Sequence, residues 1–531
     1  MRNVKTILFT LTGLLLFASM FQKITHLCGV KKLDGVEIPS PEPVLTFHNY
    51  CDGSFQGSTE AYLKQHFGFR EPLIRLYNQY LWDFYKTSNA NRGVLTLGKD
   101  GWLYEPWSVD DYYQIQYHQH AASADQMTEQ LLEEAKRVSQ LQHILEPYGT
   151  HLFVCLVPSK DMLYPEHLPE KRETRFDDEP KMSARFVLED EYRRLGVNIL
   201  DLGDYFQQMK DTASFTIFPM TGTHWSKYSA LLAADTLIRY MEHLGNINIP
   251  NLVIGPRTLQ NAHEADTDLE NLLNLIRPLP RPQYYYASAT RDEDSTAVKP
   301  KMIVIGDSFW WNIVNQVPIY DFFSEAPYWY YNSTIYYDSI HQSVNDINLT
   351  KELLSADFVF LFYSAVQLYK LNNGFTKKAL LALCYDPEEI ASAQAKLECN
   401  IRSDSAWIGR LKEISETQGK PLEELVHNEA QWLIDSHTEY FFPALNDSIP
   451  TKRSKWVESC LTKDSLYIIE QETEKIIASI KANEVQMESM REKAIQQGKT
   501  LEQTIHDDAR WIVNYKIEHG TLQVPQTAKK E

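Results

Sequence analysis

Hydrophobic positions change their period several times along the chain, and each change marks a boundary. The first segment is apolar with no period. Ile7 to Phe21 (ILFTLTGLLLFASMF) is broken by two Thr, a Gly and a Ser, and Thr6 to Gln22 carries no charge. At about 1.5 Å per residue that stretch reaches roughly 26 Å, marginal for a bilayer span and ample for the apolar core of a signal. Arg2 and Lys5 precede it, as a positive n-region does. No A-x-A site follows, and Thr25-His26-Leu27-Cys28 lacks the small residues of a lipoprotein signal. The pattern predicts an uncleaved signal anchor over residues 1–27. Lys23, Lys31 and Lys32 lie beyond it, so charge counting alone leaves orientation open, and the n-region directs the bulk of the chain outward.

Residues 28–59 read as a stalk, with Pro, Gly and Ser concentrated from residue 33 onward. From Glu60 to Tyr85 the apolar Tyr62, Phe67, Leu73, Leu76, Tyr77, Tyr80 and Leu81 recur at helical spacing. Val94 to Leu97 and Gly98 to Tyr104 (GKDGWLY) form a strand–turn–strand pattern around Asp100-Gly101. Gln126 to Leu145 is an amphipathic helix. His151 to Val157 (HLFVCLV) is a nearly continuous apolar run stopped by Pro158, the mark of a strand buried on both faces. A helix over Ala184–Leu195, a strand over Val197–Leu202 and a helix over Ser226–Leu244 follow. Met302–Ile305 is a strand running into Gly306-Asp307-Ser308, and Phe358–Tyr363 (FVFLFY) is another buried strand. Strands alternating with helices predict an α/β domain over residues 60–385 with a parallel sheet flanked by helices.

Past residue 385 strand patterns fade, and residues 386–531 read as an all-α repeat region. Gly419-Lys420-Pro421-Leu422-Glu423 recurs 79 residues later as Gly498-Lys499-Thr500-Leu501-Glu502, and His427, Ala430 and Trp432 as His506, Ala509 and Trp511. Each copy reads as a helix, a Gly-containing break and a second half-buried helix. The two histidines fit packing or capping, not a metal.

Composition narrows the function classes. Of 531 residues 43% are hydrophobic and 23% charged, as in globular proteins, and the formal charge is −19. So acidic a surface repels phosphate backbones, which argues against nucleic acid as a partner. Thirty Tyr and 11 Trp suit sugar stacking as well as cores and interfaces. None of the six cysteines (Cys28, Cys51, Cys155, Cys384, Cys399, Cys460) has C-x-x-C or zinc-like spacing, so no metal or other cofactor is expected. Cys384 and Cys399 flank a short polar segment and are the candidates for a disulfide.

Two segments carry chemistry. Lys301 to Trp310 (KMIVIGDSFW) takes a buried strand into Gly-Asp-Ser where a helix should begin, exposing Ser308 at the carboxyl edge of the sheet beside backbone N–H groups suited to an oxyanion. Thr221-Gly222-Thr223-His224-Trp225-Ser226 opens the Ser226–Leu244 helix. A serine hydroxyl needs a positioned base, and His224, at a loop–helix junction, is the best placed of 16 histidines. Asp307 reads as a positioning residue of the turn, and Trp310 and Trp311 as helix packing or a sugar-stacking floor.

Gly306-Asp307-Ser308-Phe309 resembles the G-D-S block of SGNH hydrolases, whose oxyanion hole also uses a side-chain amide or a small-residue N–H; the resemblance implies Asn332 as such a donor, and an ordinary loop Asn is the equal alternative. Thr223-His224-Trp225, preceding the Ser block, is similar to the D-x-H-W block of the alginate O-acetyltransferase proteins, whose SGNH-like domain is circularly permuted. Gly98 to Tyr104, Val157-Pro158-Ser159-Lys160 with Tyr164-Pro165 and Leu168-Pro169, and Asp266-Thr267-Asp268-Leu269 resemble further blocks of that family, covering roughly residues 60–375. The resemblance implies an envelope-exposed O-acetyltransferase with a Ser308–His224 site, a polysaccharide acceptor, and a multi-span membrane O-acyltransferase as acyl-relaying partner at the cytoplasmic membrane. One departure stands out. The family's Asp two residues before the His is Gly222 here. Another carboxylate (Asp266 or Asp268) replaces it, a backbone carbonyl holds the imidazole, or the site is weakened. An esterase or deacetylase, and a non-catalytic anchored scaffold or glycan-binding subunit, are the rival functions.

Overall fold

The computed structural model describes residues 2–35, 39–87, 95–169, 182–460, 463–497, 499–518 and Leu522. Its centre is a seven-stranded sheet built from β1 (His151–Val157), β2 (Ile199–Asp201), β3 (Met302–Gly306), β4 (Tyr328–Tyr330), β5 (Thr334–Tyr337), β6 (Ile340–Ser343) and β7 (Phe358–Ser364), in the order β6-β5-β4-β3-β7-β1-β2. The strands β4, β3, β7, β1 and β2 run parallel, while at one edge β5 pairs antiparallel with β4 and β6 antiparallel with β5. The expected parallel sheet flanked by helices is present, extended by these two edge strands into a mixed one. The returning strands are four residues each, and aromatics on both faces (Tyr336, Tyr337) hide the period of two by which a strand is read.

The long helices are α1 (Arg2–Thr25), α2 (Ser54–His66), α3 (Arg70–Tyr85), α4 (Ala124–Leu145), α5 (Ala184–Leu195) and α6 (Lys227–Gly245), and a short α7 (Phe309–Val314) follows β3. Helix starts obey local chemistry. Ser123, Asp201 and Ser226 each accept a hydrogen bond from the amide three residues on, as N-caps do. The helical spacing from Glu60 to Tyr85 resolves into two helices, α2 and α3, broken at Gly68-Phe69. Within residues 28–59 lie a short helix, Phe47–Cys51, and the start of α2, and the Asp34 N–H and C=O bond the Asn274 side chain. Val94 and Gly498, part of two sequence patterns, lie outside the described residues.

Alternation along the central strands sends side chains to two separate cores. Leu152, Val154, Leu156, Ile303, Ile305, Val359 and Leu361 pack under α4 and α5. Phe153, Cys155, Val157, Val304, Phe358, Phe360 and Phe362 pack under α6 and α7. Each such side chain is worth roughly 1.5–3 kcal/mol relative to exposure. Two-sided burial is why these strands read as unbroken apolar runs.

The C-terminal region repeats with three helices per copy, not two. Pro387–Ser403, Ser405–Gln418 and Leu422–Ser436 correspond to Lys463–Ala482, Glu484–Gln497 and Leu501–Glu518. Leu397, Ile401, Leu411, Val426, Ala430 and Ile434 of the first copy join the core beneath α4, whereas Ile480, Met490, Ile505 and Ala509 of the second form a core of their own. His427 pairs with Glu398 at 3.0 Å, and burial lowers the pKa of His506. Cys384 is buried and Cys399 exposed, both as free thiols, so the expected disulfide does not form. One helix among the described residues, Val4–Thr25, is long and apolar enough to cross a membrane.

Candidate functional site

The site lies where β3 meets α7. A Cβ on Gly306 would sit 2.3 Å from the Phe362 carbonyl on β7, so only glycine lets the strands approach here and turn sharply. Asp307 then anchors the turn. Its Oδ2 accepts from the Ser364 N–H (2.7 Å) and hydroxyl (2.6 Å), and its Oδ1 from the Phe309 N–H (3.1 Å). Its carbonyl accepts from the Tyr328 hydroxyl. Burial raises the Asp307 pKa, opposed by the Ser364 bonds. Both carboxylate oxygens are committed to geometry, which leaves the adjacent Ser308 to face the cleft.

His224 arrives from the opposite wall. Its Nε2 is 2.9 Å from Ser308 Oγ, its Nδ1 is 2.8 Å from Asp268 Oδ2, and Phe309 packs edge-to-face on the ring at 4.9 Å. Asp268 Oδ1 accepts from the N–H groups of Thr223 (2.8 Å) and Leu269 (2.7 Å). One carboxylate therefore holds both the imidazole and the backbone that carries it. Burial pulls the His224 pKa down, and the Asp268 hydrogen bond and charge outweigh it, so the net shift is upward.

The absence of a carboxylate at position 222 has a steric cause. A Cβ there would lie 2.5 Å from the Ala265 carbonyl, 2.8 Å from Pro219 Cγ and 3.0 Å from the Asp266 carbonyl carbon. The turn Glu264–Thr267 fills the space a side chain would need, and the helix it leads into, Asp268–Leu272, begins with the acid. Asp266 does not touch the imidazole. It is buried, receives the Tyr286 hydroxyl, and offers its carbonyl to Thr221 Oγ1 (3.2 Å). Of the two candidate carboxylates, the structure brings Asp268 to His224 and uses Asp266 to brace the loop.

Around the serine, the N–H groups of Trp310 and Trp311 are spent on the carbonyls of Asp307 and Ser308, and that of Phe309 on Asp307 Oδ1. Among the described residues the Ser308 N–H has no acceptor. Asn332 donates its side-chain amide to the Asn373 carbonyl (3.1 Å). Its neighbour Tyr331 is in a left-handed backbone conformation, and burial raises its phenol pKa so that it keeps its proton. Trp310 is fully buried and belongs to the core, while Trp311 is half-buried against Tyr328, Tyr330 and Tyr336.

Sequence reasoning did not single out two of the residues around the site. Lys160, inside a quoted block, is buried with its Nζ donating to the carbonyls of Leu103 (2.7 Å), Met220 (2.9 Å) and Gly222 (2.8 Å), and burial lowers its pKa to about 7. It pins the histidine loop to the Gly98–Tyr104 segment. Half-buried Glu105, directly after that segment, accepts from Trp107 Nε1 (3.0 Å), and burial raises its pKa. Elsewhere Glu189, Asp201 and Asp204 converge, but the Arg185 guanidinium sits among them, 2.7 Å from Asp201 and 3.2 Å from Asp204.

Residues 95–316 match the family model described as the SGNH hydrolase-like domain of the acetyltransferase AlgX. The chain is 26% identical over 224 residues to the probable alginate O-acetylase AlgJ of Pseudomonas aeruginosa, a match covering 42% of this chain and 50% of that one. It is 24% identical over 296 residues to the AlgJ of Azotobacter vinelandii, covering 54% and 66%. The match thus spans about half the length of the Pseudomonas relative. Among solved structures, the O-acetyltransferase domain of Pseudomonas putida AlgJ aligns over 52% of this chain and 98% of its own, at 17% identity and a TM-score of 0.35.

Proposed function

We propose, from an SGNH hydrolase-like domain at residues 95–316, that this protein is an O-acyltransferase carrying acetyl groups to polysaccharide hydroxyls through Ser308. The observation that carries the reading is the continuous chain from Ser308 Oγ to His224 Nε2 (2.9 Å) and from His224 Nδ1 to Asp268 (2.8 Å). His224 takes the Ser308 proton as Oγ attacks the acyl carbonyl, and returns it to the departing donor oxygen as the tetrahedral adduct collapses to acyl-serine. A sugar hydroxyl then gives its proton to His224 and attacks the acyl-serine, and Ser308 recovers a proton from His224. The Ser308 N–H stabilises the oxyanion of each adduct. Asp268 fixes the tautomer and balances the imidazolium. It answers the Gly222 departure on which a non-catalytic reading rested.

The apolar Val4–Thr25 helix supports a single-pass anchor at the cytoplasmic membrane with the bulk of the chain on the periplasmic side. Acyl-CoA is confined to the cytoplasm, so a multi-span membrane O-acyltransferase relays the acyl group. The curated relatives are named for alginate, which makes a polysaccharide the acceptor class. Two assays test the reading. A fluorophosphonate probe should label Ser308 in the native protein and lose that label in S308A. Acetyl ester on the cell's own polysaccharide should disappear in the same variant, and unchanged acetylation would refute the catalytic role.

A further inference from the structure

The helices next to the anchor expose an apolar surface that no other described residue covers. On α3, Leu73, Leu76, Tyr77, Tyr80 and Phe84 form one stripe at helical spacing, each between 48% and 72% exposed. The opposite face of α3 is firmly partnered. Trp82 packs with Leu103, Leu269, Leu273 and Leu279, Asn78 Nδ2 donates to the Leu273 carbonyl (3.0 Å), and Gln79 Oε1 accepts from the N–H groups of Ile276 (3.1 Å) and Arg277 (3.0 Å). Three of the four charges on this helix are engaged. Arg70 bonds the Lys64 carbonyl (3.1 Å), Arg75 the Lys32 carbonyl (2.8 Å), and Asp83 pairs with Arg277 (2.6 Å). On α2, Phe55, Thr59, Leu63 and Phe67 line a shallow groove of about 540 Å³ together with Gln56, Glu60 and Lys64, the last two paired with each other at 2.7 Å.

The position of this surface says what covers it. Ser19 Oγ donates to the Gly68 carbonyl (2.6 Å), and Lys23 Nζ lies 5.7 Å from the Tyr62 ring. Both contacts join the last turns of the apolar helix Val4–Thr25 to the α2–α3 corner. A corner fixed to those turns sits at the level where the helix leaves the hydrocarbon. There an uncharged stripe of Leu, Phe and Tyr matches the interfacial zone, in which tyrosine rings favour the headgroup level and aliphatic chains dip below it.

Resting on the anchor reading above, we infer that α2 and α3 lie on the outer leaflet of the bilayer as an interfacial platform, with the Leu73–Phe84 stripe in the headgroup–acyl boundary. The bilayer is then a second attachment, independent of the span. Because the inner face of α3 is packed against Leu269, next to Asp268, the platform also sets the catalytic cleft at a fixed height over the membrane, within reach of an acyl group delivered from it.

The test is photo-crosslinking of the full chain in its native membrane, with p-benzoylphenylalanine placed singly at Tyr77, Phe84, Leu11 or Tyr440. Leu11 reports the span, and Tyr440, on the helical region, is the solvent control. The expected result is lipid adducts at Tyr77 and Phe84 in yields comparable to those at Leu11, with none at Tyr440. Protein adducts at Tyr77 and Phe84 in place of lipid would overturn the inference in favour of a membrane-protein docking face. Adducts at Leu11 alone would overturn it while leaving the anchor intact. Lipid adducts at Tyr77 and Phe84 without any at Leu11 would uphold the platform and sink the anchor, and none at any position would sink both.

Discussion

Asp268→Asn removes one charge and changes almost no volume, so it isolates what the carboxylate does. In the wild type the carboxylate accepts three N–H groups: His224 Nδ1 at 2.8 Å, Thr223 at 2.8 Å and Leu269 at 2.7 Å. A carboxamide has a single acceptor oxygen. If that oxygen keeps the two backbone donors, its NH₂ faces Nδ1 and demands the tautomer with the proton on Nε2, which cannot accept from Ser308. If it turns to face Nδ1, the NH₂ opposes two backbone N–H groups, and the loop carrying His224 loses its tether. Either outcome removes the base, and a wrong tautomer in a serine triad costs about 10⁴ in kcat, equivalent to about 5.4 kcal/mol of barrier at 1.36 kcal/mol per decade. Moving the acid back to position 222 should not restore activity, because the added Cβ meets the Ala265 carbonyl at 2.5 Å and overpacking of that kind costs about 1–3 kcal/mol. The assay is the p-nitrophenol burst from p-nitrophenyl acetate, which reports acylation of Ser308 without needing the natural acceptor, alongside thermal unfolding to show that the fold survives. A D268N variant retaining more than about a tenth of the burst rate, or a G222D/D268N double variant that recovers it, would refute the assignment.

Three further outcomes follow from the same geometry. Acylation requires neutral His224, whose pKa is raised above the ordinary 6.5 because the Asp268 bond outweighs burial. The acid limb of the burst rate should therefore have its midpoint above 6.5, and in D268N the residual activity should titrate at lower pH because burial then prevails. Stability carries the opposite sign: the contribution from the His224–Asp268 pair is fully present below pH 6.5 and fades as pH rises through the raised value. Phe360→Ala empties a fully buried site stacked on Phe153 at 4.8 Å and should cost about 3–5 kcal/mol in urea unfolding.

Ser308 and His224 were legible because each stands at a strand–helix or loop–helix junction with a recognisable local pattern. Asp268 was legible only as one of two carboxylates. It lies 44 residues from His224, and no local spacing distinguishes it from Asp266. The distinction is tertiary: the Glu264–Thr267 turn closes against Gly222, and that contact selects which carboxylate faces the imidazole. Buried parallel strands, by contrast, announce themselves as apolar runs because both of their faces are covered. In the helical region the 79-residue offset located the copies, but the leading helix of each copy lacks the matched residues and went unread.

The grip of α3 on residues 269–279 has a practical meaning for anyone handling this protein in pieces. The segment matching the family model begins at residue 95, an inviting place to start an expression fragment. Such a fragment discards Trp82, Asn78 and Gln79 and strips the cover from Leu269, Leu273 and Leu279. It would keep every reacting group yet lose the brace beneath one of them, so a weak signal from it would measure where the chain was cut, not what the intact protein does.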